Sequence, residues 1–193
     1  MMRIGVLALQ GAFAEHIAVM ERMGVSTFEI RRLADLEGGI DGLILPGGES
    51  TVMKKLLHEL EIFETLKQKI ESGLPVLGTC AGMILLASEI EGDEAPCFGT
   101  MDIKVKRNAY GRQLGSFVCN EDFNGRKIPM RFIRGPYVTE AGGNSEVLSK
   151  HDGKIVAVSQ GRQIAAAFHP ELTDDTTVFR LFLKNVSDYI DNR

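Results

Sequence analysis

Three short segments of the chain hold residue types that do covalent chemistry: Gly78-Thr79-Cys80-Ala81-Gly82, Phe168-His169-Pro170-Glu171 and Leu45-Pro46-Gly47-Gly48-Glu49-Ser50-Thr51. In the first, a cysteine stands between small residues, after the apolar run Pro75-Val76-Leu77 and before the helix-like Ala81-Gly82-Met83-Ile84-Leu85-Leu86-Ala87. A nucleophile at a strand-to-helix turn needs small neighbours, because the turn forces its backbone into a strained conformation. The thiol then stands at a helix N-terminus, where the positive end of the dipole favours thiolate. His169 and Glu171 follow the strand candidate Ile164-Ala165-Ala166-Ala167-Phe168. Two apart on extended backbone, they would face the same way, as a base and its orienting acid require. Cys80, His169 and Glu171 therefore read as a Cys-His-Glu triad. Each segment alone has a plainer reading: a buried cysteine, a turn with a surface carboxylate, a loop after a strand. All three close apolar strands at one edge of a parallel sheet, and packing alone does not produce that coincidence.

The elements that must position these residues alternate in the first half. Residues 3–9 read as a buried strand and 15–23 as a helix stopped by Gly24; residues 28–31 and 42–45 are further strands. Ser50 or Thr51 can cap a helix at 52–57, and 62–72 is another helix ending at Gly73. Residues 75–78 form the strand that feeds the cysteine turn. Alternation of this kind implies right-handed crossovers and a parallel sheet covered on both faces. The second half changes character, with strand-like runs at 100–107, 116–120, 129–133, 146–149, 155–160 and 163–168. Asn124-Gly125 and Asp152-Gly153 are turn signals among them, and Gly161-Arg162 joins the last pair as a hairpin. A closing helix at 176–190, capped by Asp174 or Asp175, has Val178, Leu181, Phe182 and Val186 on one face. The predicted fold is α/β: a flavodoxin-like open, mostly parallel sheet flanked by helices, with an additional antiparallel strand region in the second half.

Composition narrows the setting. A chain of 193 residues, 44% apolar, suits one domain with a sizeable core, spanning 1–193. No apolar run is long enough to cross a bilayer, and Met1-Met2-Arg3-Ile4 leads directly into a strand without a secretory signal. Three dispersed cysteines do not make a disulfide framework and point to a reducing cytoplasm. The net charge of −4 argues against nucleic acid as a partner. No Cys/His spacing matches a metal site, so no metal and no cofactor are expected. Cys97 and Cys119 lack an elbow and a neighbouring base and are read as structural. His16, His58 and His151 are read as packing or surface residues, with His151 in a turn.

The chain resembles class I, triad-type glutamine amidotransferases. More narrowly, it resembles the glutaminase subunits of pyridoxal 5′-phosphate synthases. The resemblance rests on Ile4-Gly5-Val6-Leu7-Ala8-Leu9-Gln10-Gly11-Ala12 with Glu15-His16, on the Gly47-Gly48-Glu49-Ser50-Thr51 loop and on the cysteine segment. It continues through Lys106-Arg107-Asn108 with Gly111-Arg112-Gln113, Phe132-Ile133-Arg134, and Phe168-His169-Pro170-Glu171-Leu172-Thr173. One departure is Gly135, where the family pattern has Ala.

That resemblance implies hydrolysis of L-glutamine to glutamate and ammonia. The Cys80 thiolate attacks the carboxamide carbon, His169 moves the proton and Glu171 holds the imidazole tautomer. The oxyanion needs N–H donors: Ala81 is one candidate, and Gly47 or Gly48 supplies the other. Gly48, Glu49, Ser50, Arg107, Ile133 and Arg134 are implied to line the glutamine pocket. Gln10 and Gly11 would touch a partner or support the oxyanion loop. The implied partner is a (β/α)8-barrel synthase subunit that consumes the ammonia. A glutaminase serving another acceptor, a different Cys-elbow hydrolase and an inactive binding module stay open on the residues alone.

Overall fold

The computed structural model describes residues 2–92, 94–108 and 115–192. The Gly111-Arg112-Gln113 part of the family pattern lies outside the described residues. In chain order the first half runs β1 (Ile4–Leu7), α1 (Phe13–Arg22), β2 (Thr27–Ile30), a 3-10 turn (Leu33–Leu36), β3 (Gly42–Leu45), α2 (Ser50–Glu59), α3 (Phe63–Glu71), β4 (Val76–Thr79) and α4 (Ala81–Leu86). The second half runs β5 (Ala87–Ile90), β6 (Met101–Lys106), β7 (Ser116–Phe123), β8 (Arg126–Ile133), β9 (Tyr137–Ala141), β10 (Glu146–His151), β11 (Lys154–Gln160) and β12 (Gln163–Ala166). A 3-10 turn (Pro170–Leu172) and α5 (Thr177–Asp191) close the chain.

β1, β3 and β4 are buried at every position, which is why they read as unbroken apolar runs. They pair in parallel with β2 and β12 in the order β2-β1-β3-β4-β12. That is the flavodoxin order, and the strand order reverses between β1 and β3 while all the strands stay parallel, the place where such sheets open a crevice at their carboxyl ends. Five chain segments leave that edge: after Leu7, after Ile30, after Leu45, after Thr79 and after Ala166. Right-handed crossovers from β1 to β2 and from β3 to β4 run in opposite directions, so α1 and the α2–α3 pair cover opposite faces. α1 offers His16, Val19 and Met20 inward, and Gly24 at φ 73° closes it by donating to Glu21 O at 2.9 Å.

β12 turns back as a hairpin into β11, and the sheet continues antiparallel through β9 and β6, with β5 at the edge and β10 paired to β11. β7 and β8 form a separate two-stranded sheet. Asn124-Gly125 between them has φ 52° and 82°, and Asp152-Gly153 between β10 and β11 has φ 47° and 75°. Positive φ at both central residues marks the hairpin turns their sequences signalled. The small sheet matters for the site because Phe123 and Phe132 meet Phe168 edge-on, with ring centroids 6.3 and 5.8 Å apart. Phe168 is fully buried, so the residue before His169 is fixed between the rings of Phe123 and Phe132.

The predicted fold class stands. Two strands were not predicted. β5 follows α4 with no Gly or Pro between them, as the backbone passes from helix to φ −61°, ψ 138° at Ala87. β9 buries only Val138, too little to give a periodic signal. α2 starts at Ser50 with Glu49 at the N-cap and no side-chain cap, so neither Ser50 nor Thr51 caps it. His151 ends β10 rather than sitting in the turn. Asp175 does serve α5, its Oδ1 accepting the Thr177 N–H at 2.8 Å.

α4 lies so close to β3 that a Cβ on Gly82 would run into the Leu45 carbonyl. Alanine ordinarily favours a helix over glycine by about 1 kcal/mol, but overpacking against rigid backbone costs about 1–3 kcal/mol. Gly82→Ala is therefore expected to lower stability, read as a fall in the urea midpoint; an unchanged midpoint would show that α4 can stand away from the sheet.

Candidate active site

Cys80 joins β4 to α4 with φ 49° and ψ −101°, a backbone conformation that side-chain-bearing residues avoid. Its N–H is anchored to Ala166 O at 2.7 Å, and its own carbonyl accepts the Ile84 N–H at 3.4 Å as the helix begins. The thiol is nearly buried, and Sγ lies 3.9 Å from the Ile133 carbonyl. The strained elbow expected from Gly78-Thr79-Cys80-Ala81-Gly82 is present.

His169 follows β12, with its N–H on Arg131 O at 2.8 Å. Its Nδ1 is 2.6 Å from Glu171 Oε1. The two side chains do meet, but not by the predicted route. Pro170 starts a 3-10 turn, closed by Leu172 N–H on His169 O at 3.2 Å, so Glu171 reaches His169 across a turn and not along extended backbone. Proline fixes φ and brings no N–H, which suits the first position of such a turn. Both residues are buried. Burial opposes charge on the imidazole, yet its interactions with Cys80 and Glu171 outweigh that and hold His169 at about 10. Burial likewise opposes the Glu171 carboxylate, and His16 and His169 together keep its pKa below the usual range.

The Gly47-Gly48 loop leaves β3 beside this pair. Gly47 packs so tightly that a Cβ there would meet the His169 ring and, at 3.3 Å, Cys80 Cβ. The Gly47 carbonyl accepts the Ala12 N–H at 3.0 Å, and Gln10 Oε1 accepts the Glu49 N–H at 2.7 Å. Gln10 and Ala12 thus support the loop, where the expectation named Gln10 and Gly11; Gly11 makes room for it, since a Cβ there would run into the Gly47 carbonyl.

A cavity of about 460 Å³ brings together Cys80, His169, Ala81, Gly47, Gly48, Glu49, Ser50, Arg107, Ile133 and Arg134. Every site residue predicted from the sequence lines it except Glu171, which lies behind His169. Ser50 Oγ is buried there with no hydrogen-bond partner. Arg107 is held by Glu94, Nη1 to Oε2 at 2.6 Å, a partner the sequence did not suggest. Arg134 sits at φ 46°, its N–H on Gly115 O at 2.7 Å. A larger hollow of about 710 Å³ lies at the opposite edge of the sheet, around Gly73, Thr100 and Arg162, and carries no nucleophile.

Cys97 and Cys119 are pushed up to about 11, chiefly by burial, which suits their structural reading. Cys119, Glu121 and His151 bring their donor atoms within 4.8 Å of one another. They come from β7 and β10, so no sequence spacing finds them, and a hydrogen bond of 2.8 Å between His151 Nδ1 and Glu121 Oε1 accounts for the closest pair. For His16, of the two readings, packing and surface, the structure has packing. It is fully buried, with Nε2 3.0 Å from Thr79 Oγ1 and 3.4 Å from Glu171 Oε2. Its place three and four residues before Val19 and Met20, on the inward face of α1, was the available signal.

Comparison with known proteins points the same way. The chain matches the SNO glutamine amidotransferase family over residues 6–188. It is 58% identical over 187 residues to the pyridoxal 5′-phosphate synthase subunit PdxT of Methanocorpusculum labreanum, covering 96% of this chain and 98% of that one. The PdxT proteins of Desulfitobacterium hafniense and Haemophilus influenzae are 52% and 50% identical, over 97% and 94% of this chain and 94% and 97% of their own. A crystal structure of a glutamine amidotransferase superposes with a TM-score of 0.90 at 42% identity, covering 95% of this chain and 98% of that one. The structure of PurLQS from Thermotoga maritima shares the fold at a TM-score of 0.66 and 16% identity, over 99% and 98% of the two chains.

The raised pKa of His169 has a consequence for stability. Its stabilising contribution is complete below pH 6.5 and is lost as the pH rises towards about 10. The melting-temperature advantage of the native chain over His169→Asn should therefore shrink between pH 7 and pH 10. Parallel melting curves across that range would show that the imidazole is not tied to Cys80 and Glu171.

Proposed function

The chain belongs to the SNO glutamine amidotransferase family, and we propose that it hydrolyses L-glutamine through Cys80, His169 and Glu171 as the glutaminase subunit of a pyridoxal 5′-phosphate synthase. The observation that carries this reading is the cavity in which a strained cysteine and a carboxylate-bound histidine stand at one sheet edge. Relatives bearing that subunit's name over nearly their whole length supply the acceptor side.

Glutamine enters the cavity with its carboxamide towards Cys80. The thiolate adds to the carboxamide carbon, and the tetrahedral intermediate places its negative oxygen against the Ala81 N–H and an N–H of the Gly47-Gly48 loop. Losing one such donor costs about 3 kcal/mol of transition-state stabilisation. His169 hands its proton to the departing ammonia, then takes one from the water that cleaves the γ-glutamyl thioester. Glu171 keeps the imidazole in the tautomer that directs Nε2 to the sulfur. At the other end of the substrate, Ser50 Oγ has unused hydrogen-bonding capacity, and Glu49 with Arg107 and Arg134 answers the ammonium and carboxylate. Ile133 serves through its backbone beside Sγ. The ammonia passes to a (β/α)8-barrel synthase subunit. Among the described residues no helix is long and apolar enough to cross a membrane, and a net charge of −4 does not suit a nucleic-acid partner.

Cys80→Ala is expected to abolish glutamine hydrolysis while leaving the melting temperature close to native. A diazo-ketone analogue of glutamine should label Cys80 and spare Cys97 and Cys119; mass spectrometry finding the label elsewhere would overturn the nucleophile.

Control by the partner follows from the loop. In this structure the Ala12 N–H holds the Gly47 carbonyl, so the peptide between the two glycines has one fixed orientation, and a second requires breaking that bond. Docking of the synthase subunit selects the competent orientation. If ~1% of free molecules hold it, saturation raises kcat by about a hundredfold, or ~2.7 kcal/mol of coupling. Glutaminase kcat of the subunit alone against the saturated complex measures this, and equal values would mean that the loop is preformed.

A further inference from the structure

We infer that His16 is a positioning residue of the reaction centre: as a neutral imidazole protonated at Nε2, it orients Glu171 from behind and ties it to the elbow. The inference rests on the reading of Cys80, His169 and Glu171 as the catalytic triad. His16 comes from α1, far in sequence from the residues it meets, and no solvent reaches it. Nε2 faces two oxygens, Thr79 Oγ1 at 3.0 Å and Glu171 Oε2 at 3.4 Å. Thr79 is the residue before Cys80. One ring nitrogen therefore touches both the strand end that presents the thiol and the acid that holds His169.

The protonation state follows from what surrounds each ring nitrogen. Nδ1 is buried without a hydrogen-bond partner. A proton there would be a buried, unsatisfied donor, which costs more than an idle lone pair. With the proton on Nδ1, moreover, the Nε2 lone pair would point at an ionised carboxylate. A proton on Nε2 removes both penalties, since it is donated to the Thr79 hydroxyl at 3.0 Å and turns the positive end of the N–H dipole towards Glu171 Oε2, 3.4 Å away. A second proton would restore the unsatisfied Nδ1–H. The charged and titratable groups bearing on His16 are Glu171 and His169 from the turn after β12 and Glu15 on its own helix. Phe179 of α5 closes the other side, edge-on at 5.7 Å. Burial is the largest influence and lowers the pKa of His16, in agreement with a neutral ring.

Glu171 thereby meets an imidazole at each oxygen: Oε1 is hydrogen-bonded to His169 Nδ1 at 2.6 Å, and Oε2 lies in electrostatic contact with His16 Nε2 at 3.4 Å, without a hydrogen bond. Oε2 is buried and accepts no hydrogen bond, so without this contact it would be a bare buried anion. A donor to a carboxylate favours its ionised form. His16 thus keeps Glu171 charged and prevents its rotation away from His169.

The test uses His16→Leu, which removes the donor at similar volume, and His16→Gln, whose amide reaches towards the position of Nε2. Both are assayed as the complex with the synthase subunit. Outer-shell partners of this kind are worth about 10- to 100-fold in activity, so His16→Leu should lower kcat by that factor with little change in the KM for glutamine. The acid limb of kcat/KM should move to higher pH, because Glu171 loses the N–H dipole beside Oε2 that favours its charge. His16→Gln should recover most of kcat and return the limb. In the native chain, nitrogen-15 NMR should show His16 neutral, with the proton on Nε2, from pH 6 to 8. A folded His16→Leu with native kcat and native acid limb would overturn the proposal. So would equal loss in both variants with an unmoved limb, which is a packing defect. Should His16→Leu not fold, an Nδ1–H tautomer or a titrating His16 in the native protein overturns it independently. Full activity of Cys80→Ala or His169→Asn would instead remove the triad reading, leaving the His16 tautomer to stand or fall by NMR.

Discussion

A cysteine held at φ 49°, ψ −101° is the condition on which the rest of this edge of the molecule depends. Such a conformation costs of the order of 1–3 kcal/mol and persists only where its surroundings leave no alternative. Here the surroundings are backbone. The Cys80 N–H is tied to β12, α4 is pressed onto β3 at Gly82, and Gly78 leaves no room for a side chain beside the same helix. Glycines on both sides of the nucleophile are the consequence of that approach. Because β3, β4 and β12 are adjacent and parallel, the contacts that strain Cys80 also deliver the Gly47 loop and His169 to it.

The second constraint is electrostatic. Glu171 is a carboxylate almost without solvent, and desolvation works to neutralise it. An unpaired buried charge is expensive, whereas one with a polar partner at each oxygen is tolerated. Two imidazoles are those partners, one by a hydrogen bond and one by a 3.4 Å contact, and they differ. His169 carries charge easily, with its pKa near 10, while burial keeps His16 neutral. One carboxylate between a chargeable imidazole and a neutral one is an asymmetric arrangement. It sets the chargeable imidazole on the side of the acid that faces Cys80 and the neutral one on the far side.

What was legible in the sequence had local causes. Unbroken apolar runs gave β1, β3 and β4, because strands buried on both faces cannot carry polar residues. The elbow was legible because its strain demands small residues at fixed offsets from Cys80. The cavity-lining residues were legible through the family pattern, and the structure gathers them around one hollow. What was not legible depended on distant partners. β9 and β5 are strands by virtue of their pairing with β6, not of their own composition. The 3-10 turn that joins His169 to Glu171 hid behind a spacing that extended backbone would also satisfy. His16 looked like an ordinary helical residue, since nothing near it in sequence announces Thr79 or Glu171. The Glu94 partner of Arg107 was invisible for the same reason.

These contacts also distribute the site unevenly over the fold. α1 and the turn before it supply no atom to the chemistry, yet they hold both of its halves. Gln10 and Ala12 fix the oxyanion loop through Glu49 N–H and Gly47 O, and one turn of helix later His16 fixes the acid. A helix is stiff along its axis, because each residue is tied to the one four positions on. Movement of the N-terminus of α1 therefore cannot reset the loop while leaving Glu171 untouched. The loop orientation and the seating of the acid are thereby linked through one short stretch of chain, and its Gln10–Ala12 turn also lines the cavity.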